Sequence, residues 1–171
     1  MTTSKSVREL VALAGGRIVG RTKLQKSACA LELTGLGYGF QFTYRHFGPY
    51  SEELKIACGD ADALGYIKEK TETATWGGWY SVFETDSKVE LNEGRQAQRA
   101  SILAVTNNAD PVDLELAITA AYLATNGVKD PWREVEIRKS TKAIPERIIA
   151  AKALYKDLMA IKTPQKLPSI V

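Results

Sequence analysis

The stretch from Tyr38 to Leu54 constrains this chain most, because an alternating aromatic run, a Gly-Pro corner and a helix start follow one another without slack. Rings stand at Tyr38, Phe40, Phe42, Tyr44 and His46, with Gly39, Gln41, Thr43 and Arg45 between them, which is the two-residue period of a half-buried strand. Gly48-Pro49 predicts the end of that strand, since Pro49 has no N–H to give a ladder and Gly48 admits backbone angles that other residues avoid. Ser51 then reads as an N-cap, with Glu52 and Glu53 in a first helical turn whose dipole favours carboxylates.

Helices are predicted on both sides of this stretch. Residues 5–14 repeat apolar positions at helical spacing and stop at Gly15-Gly16. A second helix is expected from Thr22, as its N-cap, to Thr34, with Leu24, Ala28 and Leu31 inward and Lys23 and Lys26 on the opposite, basic side with Arg17 and Arg21. A third runs from Glu52 to Leu64, burying Leu54, Ala57 or Cys58, and Ala61 or Leu64. Ile67 to Trp76 and Trp79 to Thr85 read as two strands joined by Gly77-Gly78, a register that pairs Trp76 with Trp79 across the hairpin. Those two indoles either staple the hairpin tip or reach a partner. Beyond them the chain is helical: Leu91 to Val105, then helices opened by Asp110-Pro111 and Asp130-Pro131, an acidic cap followed by proline, and a last long helix from Pro145.

The formal net charge of +3 conceals an uneven layout. Lys and Arg outnumber Asp and Glu seven to two in residues 1–50, fall to four against ten in 51–94, and lead twelve to eight in 95–171. An acidic middle between basic flanks suits a nucleic-acid or acidic-partner surface, or simply solvated faces. No apolar run approaches the roughly 20 residues that span a bilayer, so a cytoplasmic protein without membrane contact is expected. Cys29 and Cys58 both fall at helical positions and are expected as small core residues.

The chain offers little to catalysis. His46 is its single histidine, and one His with two isolated Cys lacks the ligand spacing of a zinc site. Gly15-Gly16 and Gly77-Gly78 lack the Lys and Ser/Thr context of a phosphate loop. The carboxylates Glu52, Glu53, Asp60 and Asp62 could serve a hydrolase with His46, although capping and solubility explain them. The expectation is therefore no catalytic residue, no metal and no cofactor.

The order helix, helix, strand, helix, hairpin is that of a winged helix-turn-helix, which brings DNA to mind. In that topology the reading helix would be residues 52–64, whose acids outweigh Lys55, and phosphates repel such a surface. A nucleic acid would have to use Arg17, Arg21, Lys23, Lys26 and Arg45 instead.

Two motifs carry a resemblance. Arg21-Thr22-Lys23-Leu24-Gln25-Lys26, and after the aromatic run Phe47-Gly48-Pro49-Tyr50-Ser51-Glu52-Glu53-Leu54, together resemble the Panacea (SocA-like) antitoxin domain and the related YwgA-type bacterial proteins. Ser27-Ala28-Cys29 departs from that pattern, in which larger apolar or aromatic residues are expected. The resemblance covers the first half and implies a mostly helical, non-enzymatic domain with a small winged element, in many members neutralising a toxin by direct binding. It assigns structural roles to Thr22, Leu24, Gln25, Gly48, Pro49 and Ser51, and partner contact to Lys23, Lys26, Arg45 and Tyr50.

The expected fold is thus α+β and predominantly helical. A winged-helix-like module at 1–94 packs with a helical part at 95–162, and a flexible tail occupies 163–171, all within one domain overall. The expected partner is a protein, bound through Arg17, Arg21, Lys23, Lys26, Arg45 and Tyr50 with contact from Trp76 and Trp79. The alternative is a DNA-binding regulator on the same face, and either form admits a homodimer.

Overall fold

The computed structural model describes residues 2–92 and 94–171. Its N-terminal half runs α1 (Thr3–Leu13), β1 (Arg17–Val19), α2 (Arg21–Leu33), β2 (Thr43–Arg45), β3 (Gly48–Tyr50), α3 (Glu52–Ala63), β4 (Lys68–Thr73) and β5 (Trp79–Glu84). Four helices follow, α4 (Arg95–Asn108), α5 (Pro111–Thr125), α6 (Pro131–Arg138) and α7 (Pro145–Met159). The fold is α+β and predominantly helical, as the periodicities predict.

Strands β1, β5 and β4 form an antiparallel sheet in that order, with Ile18 opposite Phe83 and both buried in the core. β1 has no counterpart in the sequence reading, because three residues with a single buried side chain carry no period. A second, two-stranded sheet pairs β2 with β3 through Tyr44 and Pro49. One apolar core runs through both halves of the chain. α5 lies at its centre, packed against α2, α6, α7 and β3, with Leu114, Leu116, Ala117, Ile118, Ala120 and Ala121 all inaccessible to solvent.

The aromatic run is mostly not a strand. Only Thr43–Arg45 pairs, and Gly48-Pro49-Tyr50, read as the corner that breaks the strand, supplies the partner. The reason lies in two carboxylates. Glu32 Oε1 accepts from the backbone N–H groups of Tyr38, Gly39 and Phe40, each at 2.9 Å, and Glu53 Oε2 accepts from Gln41 N at 3.0 Å. Buried backbone donors must find acceptors, and at Tyr38 and Phe40 a side chain takes the place of a neighbouring strand, as it also does for the exposed Gly39 and Gln41. The alternation survives as burial up to Arg45: Phe40 is buried and Tyr38, Phe42 and Tyr44 are half-buried, while Gly39, Gln41, Thr43 and Arg45 are exposed. His46, expected on the side of the rings, is exposed as well, because the chain turns there from β2 into β3.

The hairpin register also differs from expectation. Thr73, not Trp76, faces Trp79, and residues 74–78 form the turn, closed by Ala74 N–H donating to Gly78 O at 2.7 Å. Trp76 therefore sits in the loop. Thr22 does not cap α2; Gly20, at φ +95°, occupies that position and Thr22 lies in the first turn. The helix expected from Leu91 begins at Arg95, and Glu93, within its expected start, lies outside the described residues.

Local chemistry fixes the other starts. Ser51 Oγ accepts from Leu54 N at 3.1 Å, Asp110 Oδ1 from Val112 N at 2.8 Å and Asp130 Oδ1 from Arg133 N at 3.2 Å. The last nine residues, expected as a flexible tail, have neither helix nor strand, yet they are fastened. Leu167 is buried, Tyr155 OH donates to Pro168 O at 2.6 Å, Trp132 Nε1 donates to Ile170 O at 2.9 Å, and Gln165 N donates to Thr34 O at 3.0 Å.

Candidate partner-binding surface

The two sequence motifs meet side by side. Gln25 holds Ser51 at both ends of its peptide unit, its Nε2 donating to Ser51 O and its Oε1 accepting from Ser51 N, each at 2.9 Å. Lys26 Nζ donates to Pro49 O at 3.0 Å. Consecutive side chains of α2 thus clasp β3 and the start of α3. Lys26, expected on an exposed basic face, is 1% exposed and unavailable to a partner. Burial pulls its ammonium down to about 8, against the opposing field of Glu115. Glu115 on α5 is itself buried and accepts from Lys139 and Lys142, each at 2.8 Å. Beside this cluster Gly48, at φ +88°, leaves no room for a Cβ against Thr119, whose buried hydroxyl has no partner among the described residues.

The other predicted basic residues are exposed or half-buried, and most are already engaged. Lys23 Nζ donates to Asn107 O in the last turn of α4 at 2.9 Å, and burial lowers its pKa. Arg21 pairs with Glu69 at 3.0 Å. Arg17 pairs with Glu84 at 3.3 Å and reaches Glu72 at 4.0 Å. Arg45 lies over the ring of Tyr50, 6.0 Å from its centroid. None of the four is brought into a cluster of unpaired cations.

Two clefts share Arg21. The larger, about 540 Å³, lies between the hairpin and the start of α2, with Trp76, Trp79, Lys23 and Pro111 in its wall. Trp76 and Trp79 are 78% and 70% exposed, so the tip presents two nearly bare indoles. The smaller, about 260 Å³, lies between α2, α3 and the sheet, with Leu24, Cys58 and Phe83 inside and Tyr50 and Lys55 at its edge. Burial pushes the Cys58 thiol up to about 12, as it does that of Cys29, so both cysteines are inert core thiols.

His46 is exposed, edge-on to Phe47 at 5.1 Å between ring centroids. Among the described residues no group of three or more His, Cys, Asp or Glu comes together to hold a metal, and no helix is long and apolar enough to cross a membrane.

The chain is similar to YwgA of Bacillus subtilis (strain 168). Identity is 27% over 127 residues, spanning 71% of this chain and 74% of YwgA, which is described as an uncharacterized protein. No family model and no solved structure matches the chain.

Several residues of this surface have no forerunner in the sequence reading. Ile56, 59% exposed on α3, falls outside the buried set Leu54, Ala57, Cys58 and Ala61, and that offset was the available signal. Leu64, offered with Ala61 as a core position, is exposed. The Glu115–Lys139–Lys142 cluster joins residues too far apart in sequence for spacing to reveal.

Proposed function

We propose that this chain is a non-catalytic interaction protein of antitoxin-like character, acting in the cytoplasm by binding and regulating a protein partner. One observation carries the reading. Of the cations that a phosphate backbone would need, Lys26 is buried, Arg17 and Arg21 are ion-paired and Lys23 is held by Asn107 O, which leaves Arg45 alone without an ion pair or hydrogen bond among the described residues, whereas Trp76 and Trp79 stand bare beside a cleft. Tryptophan is the residue type that most often anchors protein interfaces. The Panacea-like assignment rests on the motifs at 21–26 and 47–54, and their mutual clasp accounts for Gln25, Lys26, Pro49 and Ser51 by structure alone. Partner contact then falls to Arg21, Lys23, Arg45, Tyr50 and the hairpin tip.

A DNA-binding regulator of winged helix-turn-helix type is the second reading. The sheet order β1, β5, β4, with a strand between the first two helices and a hairpin after the third, supports it. The outward face of α3, bearing Glu52, Glu53 and Asp60, opposes it by repelling phosphates.

A tagged pull-down from the native host, run at low and high salt with and without nuclease, separates the two. Recovery of one stoichiometric protein that survives both treatments supports the interaction protein. Recovery of nucleic acid alone, lost as salt rises and lost in an Arg21→Glu, Lys23→Glu variant, overturns it in favour of the regulator.

A further inference from the structure

The outward face of α3 belongs to neither the core nor the clasp. Ile56, Gly59 and Ala63 follow one another at helical spacing up the middle of that face, all exposed, with Glu52, Glu53, Asp60 and Asp62 around them. Lys55 is the one cation of this helix, and it is paired with Glu52 at 3.2 Å. Gly59 also borders the smaller cleft, whose floor is Leu24, Cys58 and Phe83 and whose two cations, Arg21 and Lys55, are paired with Glu69 and Glu52, so that Glu53, Asp60 and Asp62 leave the face acidic.

Gly59 is an odd residue for this position. A glycine inside a helix costs about 0.5–1 kcal/mol relative to alanine. No atom lies within 4 Å of where its Cβ would stand, so packing does not demand it. What the missing side chain does is leave the cleft mouth open on the helix face. At about 260 Å³ the cleft is smaller than the roughly 300–1,000 Å³ that holds a whole small-molecule ligand, and it suits a single apolar side chain.

We propose that the Gly59 cleft receives one apolar side chain of a basic protein segment, whose Lys or Arg residues meet Glu52, Glu53 and Asp60 on the same helix face. The assignment rests on the protein-binding reading above and adds to its contacts, beside Arg21 and Tyr50 at the same cleft, an acidic face that takes a basic segment. Charge complementarity selects the occupant: an acidic segment or a nucleic acid would set like charges against that face, and a wholly apolar one would leave its carboxylates without partners.

The test is a random peptide library displayed on phage and selected on the full chain at low salt. Selected peptides should share one large apolar residue flanked by Lys or Arg. They should bind a Gly59→Leu variant roughly 10- to 100-fold more weakly, the loss expected when one apolar side chain is shut out. A double variant, Glu52→Lys with Asp60→Lys, leaves the cleft untouched and keeps the proposal testable if Gly59→Leu fails to fold. It should weaken binding more at low salt than at high. No enrichment, enrichment of acidic peptides, equal binding to the Gly59→Leu variant, or self-association of the chain through this face would each overturn the proposal. A pull-down partner that binds wild type and Gly59→Leu equally removes the cleft but keeps protein binding. Recovery of nucleic acid alone removes both.

Discussion

Lys26 shows how one side chain can be misread from spacing and then become the most informative residue in the chain. Its ammonium lies in the core with Pro49 O as acceptor, and Glu115, Lys139, Lys142 and Cys29 bear on it electrostatically. Because burial lowers its pKa from 10.5 to about 8, the unfolded chain binds the proton more tightly than the folded one. Between these two pH values the unfolded state carries more protons, so this group's contribution to stability rises with pH, by on the order of 3 kcal/mol in all. Cys29 and Cys58 act in the opposite direction above pH 9, where the unfolded thiols ionise first. The stability difference between wild type and Lys26→Met isolates the lysine, and urea unfolding should show it moving in favour of wild type from pH 8 to pH 10. A flat difference would mean that the amine is not held as described. Gly48 gives a second prediction. An alanine there would hold a side chain at φ +88° and drive its Cβ against Thr119, so Gly48→Ala should cost about 2–4 kcal/mol in the same assay.

Carboxylates placed at element ends organise several connections. Glu32, in the last turn of α2, gathers three backbone N–H groups from the loop after it. Glu115 joins α5 to the end of α6 and to Lys142, whose ammonium lies 4.9 Å from the Phe47 ring centroid in the β2–β3 turn. Replacing one member of a buried ion pair strands the others, so Glu115→Ala should destabilise by about 3–5 kcal/mol, as measured by chemical unfolding. Substituting the exposed, paired Arg17 by Ala should change stability by no more than about 1 kcal/mol, since ion pairs in water contribute little. Similar costs for the two would contradict the burial contrast. Arg99 works in the same way between α4 and α1. It donates to Glu9 at 3.0 Å and to Leu36 O at 2.7 Å while lying over Tyr38, 4.0 Å from its ring centroid.

At the scale of the molecule, the C-terminal nine residues close a seam between α2, α6 and α7. Ending the chain after Lys162 removes Leu167 from the core and takes the acceptors from Trp132 and Tyr155. Burial of one leucine is worth about 2 kcal/mol, which at this chain length corresponds to roughly 4–8 °C in Tm. Truncation should lower Tm by at least that much and shift Trp132 emission to longer wavelength, whereas the exposed Trp76 and Trp79 already emit from water. An unchanged Tm would mean that the seam holds without its tail. The same whole-molecule view explains the charge pattern. Part of the charge of the basic flanks is spent within the fold: Arg17, Arg21, Arg99, Lys139 and Lys142 pair with Glu84, Glu69, Glu9 and Glu115, and Lys23 and Lys26 are held by backbone carbonyls. The acidic middle is what stays outside, on α3.

What the sequence determined was local. Ser51, Asp110 and Asp130 cap the helices that their spacing announces, because a cap needs only its own next turn. The period of residues 38–45 correctly divides inside from outside and fails at His46, since alternation follows from an extended backbone whether or not a strand pairs with it. The tertiary structure decided every question whose answer lay far along the chain. Lys26 turns inward because Pro49 O stands ready 23 residues later, and residues 38–41 forgo a ladder because Glu32 and Glu53 satisfy their N–H groups first. Trp76 leaves the strand because the turn closes between Ala74 and Gly78. A buried donor takes whichever acceptor the fold brings within 3 Å or so, and no local window of sequence contains that distance.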